Sequence, residues 1–527
     1  MSPGTELDKT TMLMTQTSYS DYDELCRLDV LGLADAPEHD HQIVHCEFKE
    51  QLQRSDQGWY ETGLPWKGNH PRLATNEKGS VRRLSSLTRR LDKKGLTPAY
   101  NAVIQEQRIE GIVEPAPTLA TGREFYIPHK EVVRESAQTT KLRVVYDASA
   151  RVDPTCPSLN DCLYSGPPLQ NHLWDVLVRQ RAYLVALTGD IKKAFLQIRI
   201  KEEDRDSLRF HWRTNGQAQI ETLRFTRALF GLGPSPFLLN GVLGAHLDAW
   251  EERRPDIVAE LRDGLYVDDL LTGGNTVDQA SAIKQGAIEV LGDATFELHK
   301  WASNVPQLEN PEASKNSEED QSAAKQQLAV KPTETKLLGH TWEKEKDILN
   351  VEFDRSAKAT TKREVLSKLA RIYDPLGLTS PLTLQGKLLY RDIIDTKVPW
   401  DTKLQGEIED KWKKWEQSLP TRVGVPRSIV LHREQVTSMT LHGFGDASQK
   451  GVSAAVYTVV NQPSGETQSL VAAKSRIAKR GLTIPRLELV AGHMVTNLLT
   501  NVHKNLSSSS KVTIPQHAWL DSTVALY

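Results

Sequence analysis

Apolar and polar positions follow two rhythms along the chain, one helical and one extended. Over residues 81–114 the apolar period is that of a helix: Leu84, Leu87 and Leu91 share one face, and Arg82, Arg83, Arg89, Arg90, Lys93 and Lys94 cover the rest. Residues 125–128 and 141–147 form two extended runs, predicting a hairpin with Arg134 and Glu135 near its tip. The nearly continuous apolar run 182–187 predicts a central strand covered on both faces, ending at Thr188-Gly189-Asp190. A glycine/proline loop at 229–236 leads into a helix with Leu238, Leu239, Val242, Leu243, Leu247 and Trp250 at core spacing. At 264–273 two adjacent carboxylates lie between apolar runs with glycine at both ends, predicting a β-hairpin with Asp268 and Asp269 at or beside its turn.

An amphipathic helix comes next, then the segment Phe296-Glu297-Leu298-His299-Lys300-Trp301, and Leu337-Leu338-Gly339-His340 resumes a strand. Residues 360–415 read as helical, broken at Tyr373-Asp374-Pro375-Leu376-Gly377. Two strands are expected over 437–460 around Gly445-Asp446-Ala447-Ser448, followed by a basic segment with Lys474, Arg476, Lys479 and Arg480. Thr483 opens a helix with Pro485 in its first turn and Glu488 facing inward among Leu487, Leu489 and Val490. The Thr/Ser-rich residues 1–20 are expected to be disordered, and the charged, Ser/Ala/Gln-rich stretch 309–332 to be an exposed insertion. No internal repeat is visible.

Composition narrows the class. A length of 527 residues allows several domains with real cores, and 25% charged against 39% hydrophobic residues is the balance of a soluble globular chain. The formal net charge of −2 rules out a globally basic nucleic-acid binder, so any phosphate-binding surface must come from local clustering. Cys26, Cys46, Cys156 and Cys162 form no CxxC pair, which argues against a zinc site or a disulfide framework and for a reducing, intracellular setting. No apolar run is long enough to span a bilayer, and the N-terminus lacks a signal-peptide core.

Chemistry enters with Asp268 and Asp269. Neighbouring anions raise each other's pKa, and burying them without a partner is costly. The plain reading is an acidic surface turn; the apolar flanks favour a metal site, provided a third carboxylate joins from another strand end. Asp190 is that candidate. Together the acids are expected to hold two metal ions ~3.5–4 Å apart, as in phosphoryl transfer, with Mg²⁺ favoured by the hard oxygen ligands. Lys141 and Arg143 would supply charge opposite, although a charged hairpin edge that blocks aggregation is an equal reading. Phe195, five residues after Asp190, either closes over the bound group or is a core aromatic. Gly231 and Gly233 allow the backbone close to a planar ligand, or simply shape a loop.

The ordered set Lys141-x-Arg143, Asp190 to Phe195, Phe230-Gly231-x-Gly233-x-Ser235-Pro236, Tyr266-Val267-Asp268-Asp269, Lys300 and Leu338-Gly339 resembles the reverse transcriptase of long-terminal-repeat retroelements. The wording RVVYDAS, SLNDCLYSGPPL, YVDDLLTG, YDPLGLTSPL, FGDAS and IPRLELVAG is most similar to the BEL/Pao group, from about residue 24 onward. The resemblance implies an α+β multidomain chain: a right-hand polymerase of fingers, palm and thumb, followed by a truncated ribonuclease H-like α/β domain. The implied parts are an N-terminal extension (1–80), fingers and palm (81–345), thumb and connection (346–432) and a partial ribonuclease H-like domain (433–527).

The implied activity is that of an RNA-directed DNA polymerase with two Mg²⁺ ions (or Mn²⁺), acting on an RNA or DNA template-primer and dNTPs. Asp190, Asp268 and Asp269 match its catalytic and metal-binding acids; Lys141, Arg143, Phe195, Phe230, Gly231 and Lys300 match nucleotide-binding positions. Phe195 matches the residue under the incoming sugar, where a flat aromatic leaves no room for a 2′-hydroxyl; Phe230 stands where retroviral enzymes have Gln. Asp446, Glu488 and Asp521 match three ribonuclease H carboxylates, on the first strand, first helix and fourth strand. A fourth acid and often a His lie further on in that fold, so this part is expected to be incomplete. Protease and integrase segments of a polyprotein are the further partners implied, with no membrane, in the cytoplasm including retrotransposon particles. Two alternatives stand: a Pao-family peptidase, for which no Asp-Thr/Ser-Gly signature is present, and an inactive transposon-polyprotein fragment that only binds nucleic acid.

Overall fold

The computed structural model describes residues 39–133, 142–213, 219–309, 334–355, 358–432, 434–507 and 513–522. Lys141, Arg134, Glu135, residues 1–20 and nearly all of the expected insertion at 309–332 lie outside these. The chain divides into two compact units: one is Ala36–Val176 with Val185–Glu334, the other the described parts of Leu177–Leu184 and Thr335–Tyr527.

In the first unit the basic amphipathic stretch is two helices, not one. Helix α1 (Glu77–Lys94) buries Leu84, Leu87 and Leu91 and stops at Gly95, whose left-handed φ of 65° ends the helix; α2 (Thr97–Ile109) restarts with a proline in its first turn. Three of the six expected bases are engaged with acids: Arg83 with Asp147 at 2.7 Å, and Arg90 and Lys94 with Glu131 at 3.1 and 3.2 Å. The expected hairpin is β1 (His129–Val133) against β2 (Leu142–Tyr146), so residues 125–128 precede it.

The sheet at the centre of this unit is built on β3 (Val185–Ile191). The strand starts later than the apolar run suggests. Arg181 is buried and donates to the carbonyls of Pro426, Arg427, Leu470 and Val471, which draws Leu177–Leu184 into the second unit. It also runs further, so Asp190 lies inside the strand and not beyond it. After β4 (Arg209–Trp212) and β5 (Glu221–Phe225) come the predicted core helix α3 (Ser235–Trp250), then α4 (Pro255–Gly264), β6 (Leu265–Tyr266), β7 (Asp269–Gly274), α5 (Val277–Asp293) and β8 (Leu298–Ser303). The sheet order is β6-β7-β3-β8, antiparallel throughout. Its core is continuous with Val44, Phe48, Tyr60 and Leu64, from the stretch ahead of α1.

In the second unit β9 (Glu334–Leu337) and β10 (His340–Glu343) are joined by Leu338 and Gly339, both at positive φ (43° and 99°). Positive φ at both central residues is the geometry of a type I′ turn, so the expected strand at 337–340 is in fact a turn. With β11 (Ile348–Glu352) and β12 (Arg422–Pro426) they form a four-stranded sheet. Helices α6 (Lys362–Ala370), α7 (Ser380–Asp395) and α8 (Glu407–Ser418) follow β11. The predicted break after α6 is held by the Asp374 carboxylate, which accepts from the N–H groups of Leu378 and Thr379.

The C-terminal sheet has the order β15-β14-β13-β16, from β13 (Ser438–Ala447), β14 (Gly451–Gln462), β15 (Gly465–Ile477) and β16 (Gln516–Leu520), the last parallel to β13. Lys474 and Arg476 of the basic segment lie on β15. Helix α9 (Ile484–Ser507) buries Leu487, Glu488, Ala491, Met494 and Val495, a helical stripe that leaves Leu489 outside it, 55% exposed instead of facing in. Among the described residues no helix is long and apolar enough to cross a membrane, and Cys46, Cys156 and Cys162 are free thiols.

Candidate active site

The register of β3 and β7 brings the first two acids together. Asp190 pairs with Asp269, and residues directly opposite in an antiparallel pair project to one face with Cβ atoms about 4.5–5.5 Å apart. Asp268 is in the two-residue turn closed by the Tyr266–Asp269 pair. The other turn residue is Val267, at φ 56°. A β-branched residue there is strained, by about 1–3 kcal/mol. Two things hold it: Val267 packs against the apolar core, and the Asp268 carbonyl accepts from the Ile191 N–H at 2.7 Å.

On the other side of β3, His299 of β8 pairs with Asp190. Aspartate, aspartate and histidine thus form a row across three strands on one face. Strand alternation alone would turn the next residue, Lys300, to the opposite face. The register shifts between His299 and Ala302, however, and Lys300 has φ 50°: the strand bulges. As a result His299 Nε2, at 3.0 Å, and the Lys300 ammonium both reach Asp190 Oδ2. His299 was not among the expected site residues, since only the pairing register reveals it.

Burial, with Asp190 nearby, raises the Asp268 carboxyl above its usual range; burial, then Asp268 and Asp190, lift Asp269 to about 7. Lys300 opposes both shifts without cancelling them. Three oxygen-donor acids whose repulsion Lys300 offsets only in part fit a divalent cation.

The expected nucleotide-side residues are only partly assembled here. Phe195 follows β3 in a short 3₁₀ turn (Ala194–Gln197) and is 6% exposed, so it packs as a core aromatic on most of its surface. Its ring lies edge-on to Phe230, centroids 4.5 Å apart, and Phe230 is 55% exposed. Arg143 is exposed on β2 with no ion-pair partner among the described residues. Gly231 makes a close backbone approach, but to its own chain: at φ 100°, an added Cβ would meet the Tyr146 carbonyl oxygen at 2.5 Å. The loop is bonded instead to Asn160, which sequence reasoning passed over inside the SLNDCLYSGPPL motif.

In the second unit, Asp446 near the end of β13, Glu488 on α9 and Asp521 just past β16 converge, with one ligand atom from each all within 4.8 Å of one another. Among the described residues this is the one such trio. In the first unit Asp190 instead has an oxygen engaged by His299 and Lys300. Glu488 is 6% exposed and its Oε2 has no hydrogen-bond partner among the described residues. Burial, then Asp521 and Asp446, raise its pKa. An orphaned, buried carboxylate oxygen beside two more acids fits a cation as well.

Comparison with known proteins agrees with this layout. Residues 138–341 match the reverse transcriptase (RNA-dependent DNA polymerase) family, and residues 361–522 match the Pao retrotransposon-like RNaseH-like domain. The chain thus carries a reverse transcriptase region followed by a Pao-type ribonuclease H-like region. Among solved structures, this reverse transcriptase is similar to a foamy viral protease-reverse transcriptase in complex with double-stranded DNA. The TM-score is 0.50 at 15% identity, over 96% of this chain and 76% of that one, a likeness of fold. A second foamy viral structure, in complex with RNA/DNA hybrid, aligns at TM-score 0.49 and 13% identity over 95% of this chain and 63% of that one. No curated protein sequence matches. The peptidase alternative is not favoured, because the C-terminal match is to a ribonuclease H-like domain. Reverse transcriptases as a family use divalent metal ions.

Proposed function

We propose that this reverse transcriptase extends a primer 3′-hydroxyl with dNTPs on a bound template, and that Asp190, Asp268 and Asp269 hold two Mg²⁺ ions for that step. The observation that carries the reading is the β3–β7 pairing, which sets Asp190 against Asp269 with Asp268 in the adjoining strained turn. When bound, such ions lower the pKa of the attacking hydroxyl and neutralise the leaving phosphates. The chain's own groups do the rest. His299 and Lys300 hold one oxygen of Asp190 and so fix the orientation of its carboxylate. Phe195 and Phe230 form an aromatic wall after β3 against which a sugar would lie. Arg143 offers a guanidinium with no ion-pair partner among the described residues for phosphate. Template-primer binding is supported by the foamy viral relative's complex with double-stranded DNA.

In the second unit the reading is a divalent-cation site at Asp446, Glu488 and Asp521, supported by the orphaned Glu488 oxygen. The deciding experiment for the polymerase is dNTP incorporation on a primed RNA template with Mg²⁺. Incorporation is expected from the unaltered chain and abolished in Asp268→Asn; activity that survives the substitution overturns the metal assignment.

A further inference from the structure

Leu229 and Leu232 anchor the loop bearing Phe230 in the core, and its backbone at Gly231 and Gly233 is bonded to one side chain, that of Asn160. Asn160 sits in a short helix, Leu159–Cys162, fixed by a capping box between Ser158 and Asp161. Its Nδ2 donates to the Gly231 carbonyl and to Ser149 Oγ, both at 2.9 Å, and its Oδ1 accepts from the Gly233 N–H at 2.9 Å. A carbonyl only accepts and a backbone N–H only donates, so these partners set which way the amide points. The loop's ends are pinned separately. Ala228 N–H donates to the Ile198 carbonyl, just after Phe195, and Ser235 Oγ donates to the Leu229 carbonyl. Between these points Phe230 projects outward, its ring against the edge of the buried Phe195.

We propose that Asn160 is a positioning residue for sugar discrimination: by clamping residues 231 and 233 it holds Phe230 against Phe195, so that the pair meets the incoming sugar as a wall that does not yield. The inference rests on the polymerase reading above. A pocket rejects an added hydroxyl only as far as its shape is kept; a wall free to retreat leaves room for the 2′-oxygen. Asn160 touches neither Phe195 nor the acids in the contacts above, so its effect is on geometry and not on the chemical step.

The test measures kcat/KM for a dNTP and for the matching rNTP in the whole chain. Asn160→Ala is expected to lower the dNTP-to-rNTP ratio by about tenfold, with dNTP incorporation itself changed less. Asn160→Asp keeps the acceptor for Gly233 but loses both donated bonds, and is expected to lower the ratio as well; it decides the matter should the alanine variant melt early. Ser149→Ala leaves both clamps on the loop and is expected to keep the ratio within about twofold. Slowing both nucleotides equally, with the ratio unchanged, overturns the proposal, as does a Ser149→Ala change as large as that of Asn160→Ala. An unaltered chain that adds no dNTP sinks the polymerase reading instead, so the two failures are distinguishable.

Discussion

The acids of the β3–β7 strand pair and those of the C-terminal sheet crowd like charge by different means. The first set comes from two paired strands and the β6–β7 turn, and brings a counter-charge of its own, the Lys300 ammonium on Asp190. The second comes from three separate elements, and the charges felt by its buried member, Glu488, are those of the other two acids. There the Ala447 backbone hydrogen-bonds the carboxylate and Oε2 is left bare. In the first set an ammonium of the fold offsets part of the repulsion; in the second the charges acting on Glu488 are acidic alone, a difference that stability measurements can register as well as activity.

The largest effect is expected in the hairpin. Asp268→Asn keeps the turn and removes one anionic ligand, so primer extension falls by about 10³-fold or more. Next is Phe195→Ala, which opens the space beneath Phe230. Ribonucleotide use relative to deoxynucleotide should rise by about 10²-fold in competing single-nucleotide additions, and unchanged discrimination removes the gate role.

A smaller effect separates the sites by pH. Asp269 ionises near 3.8 when unfolded but near 7 in the metal-free fold. Between those values the folded state holds the extra proton, so stability falls as pH rises through that window and the loss is complete above it. Melting temperatures of the metal-free chain should show that decline, Asp269→Asn should flatten it, and Mg²⁺ should offset it at neutral pH; an identical slope in the variant refutes the assignment. The smallest effect belongs to Glu488→Gln. It keeps an acceptor for Ala447 and removes the buried charge, so the metal-free melting temperature should rise by about 2–4 °C, while stabilisation by added Mg²⁺ shrinks. A variant that melts lower without metal and gains as much from Mg²⁺ speaks against a cation site there.

Much of this layout is legible from local pattern. Leu84, Leu87 and Leu91 mark their helix face, Gly377 and Pro375 mark the break after α6, and Asp268-Asp269 between apolar runs mark a hairpin, because periodicity and turn chemistry act within a few residues. The misses are of another kind. The apolar period runs through Gly95 as if one helix continued, whereas its left-handed φ ends α1 there. Residues 182–184 are apolar enough for a strand, yet neighbouring Arg181 is drawn to carbonyls some 245 to 290 positions away. Leu338-Gly339 reads as extended until both φ angles turn positive.

The chain by itself determined the inventory: which acids and aromatics are present, which runs are helical or extended, and that two adjacent aspartates end up where apolar strands meet. Only the tertiary structure decided that Asp190 faces Asp269 and His299, that a bulge swings Lys300 onto the same oxygen, and that Asn160 holds the Phe230 loop. The reason is physical. Side chains alternate across a strand with period two, so a slip of one residue in pairing sends every group to the other face, and that register is set by contacts between segments far apart in sequence.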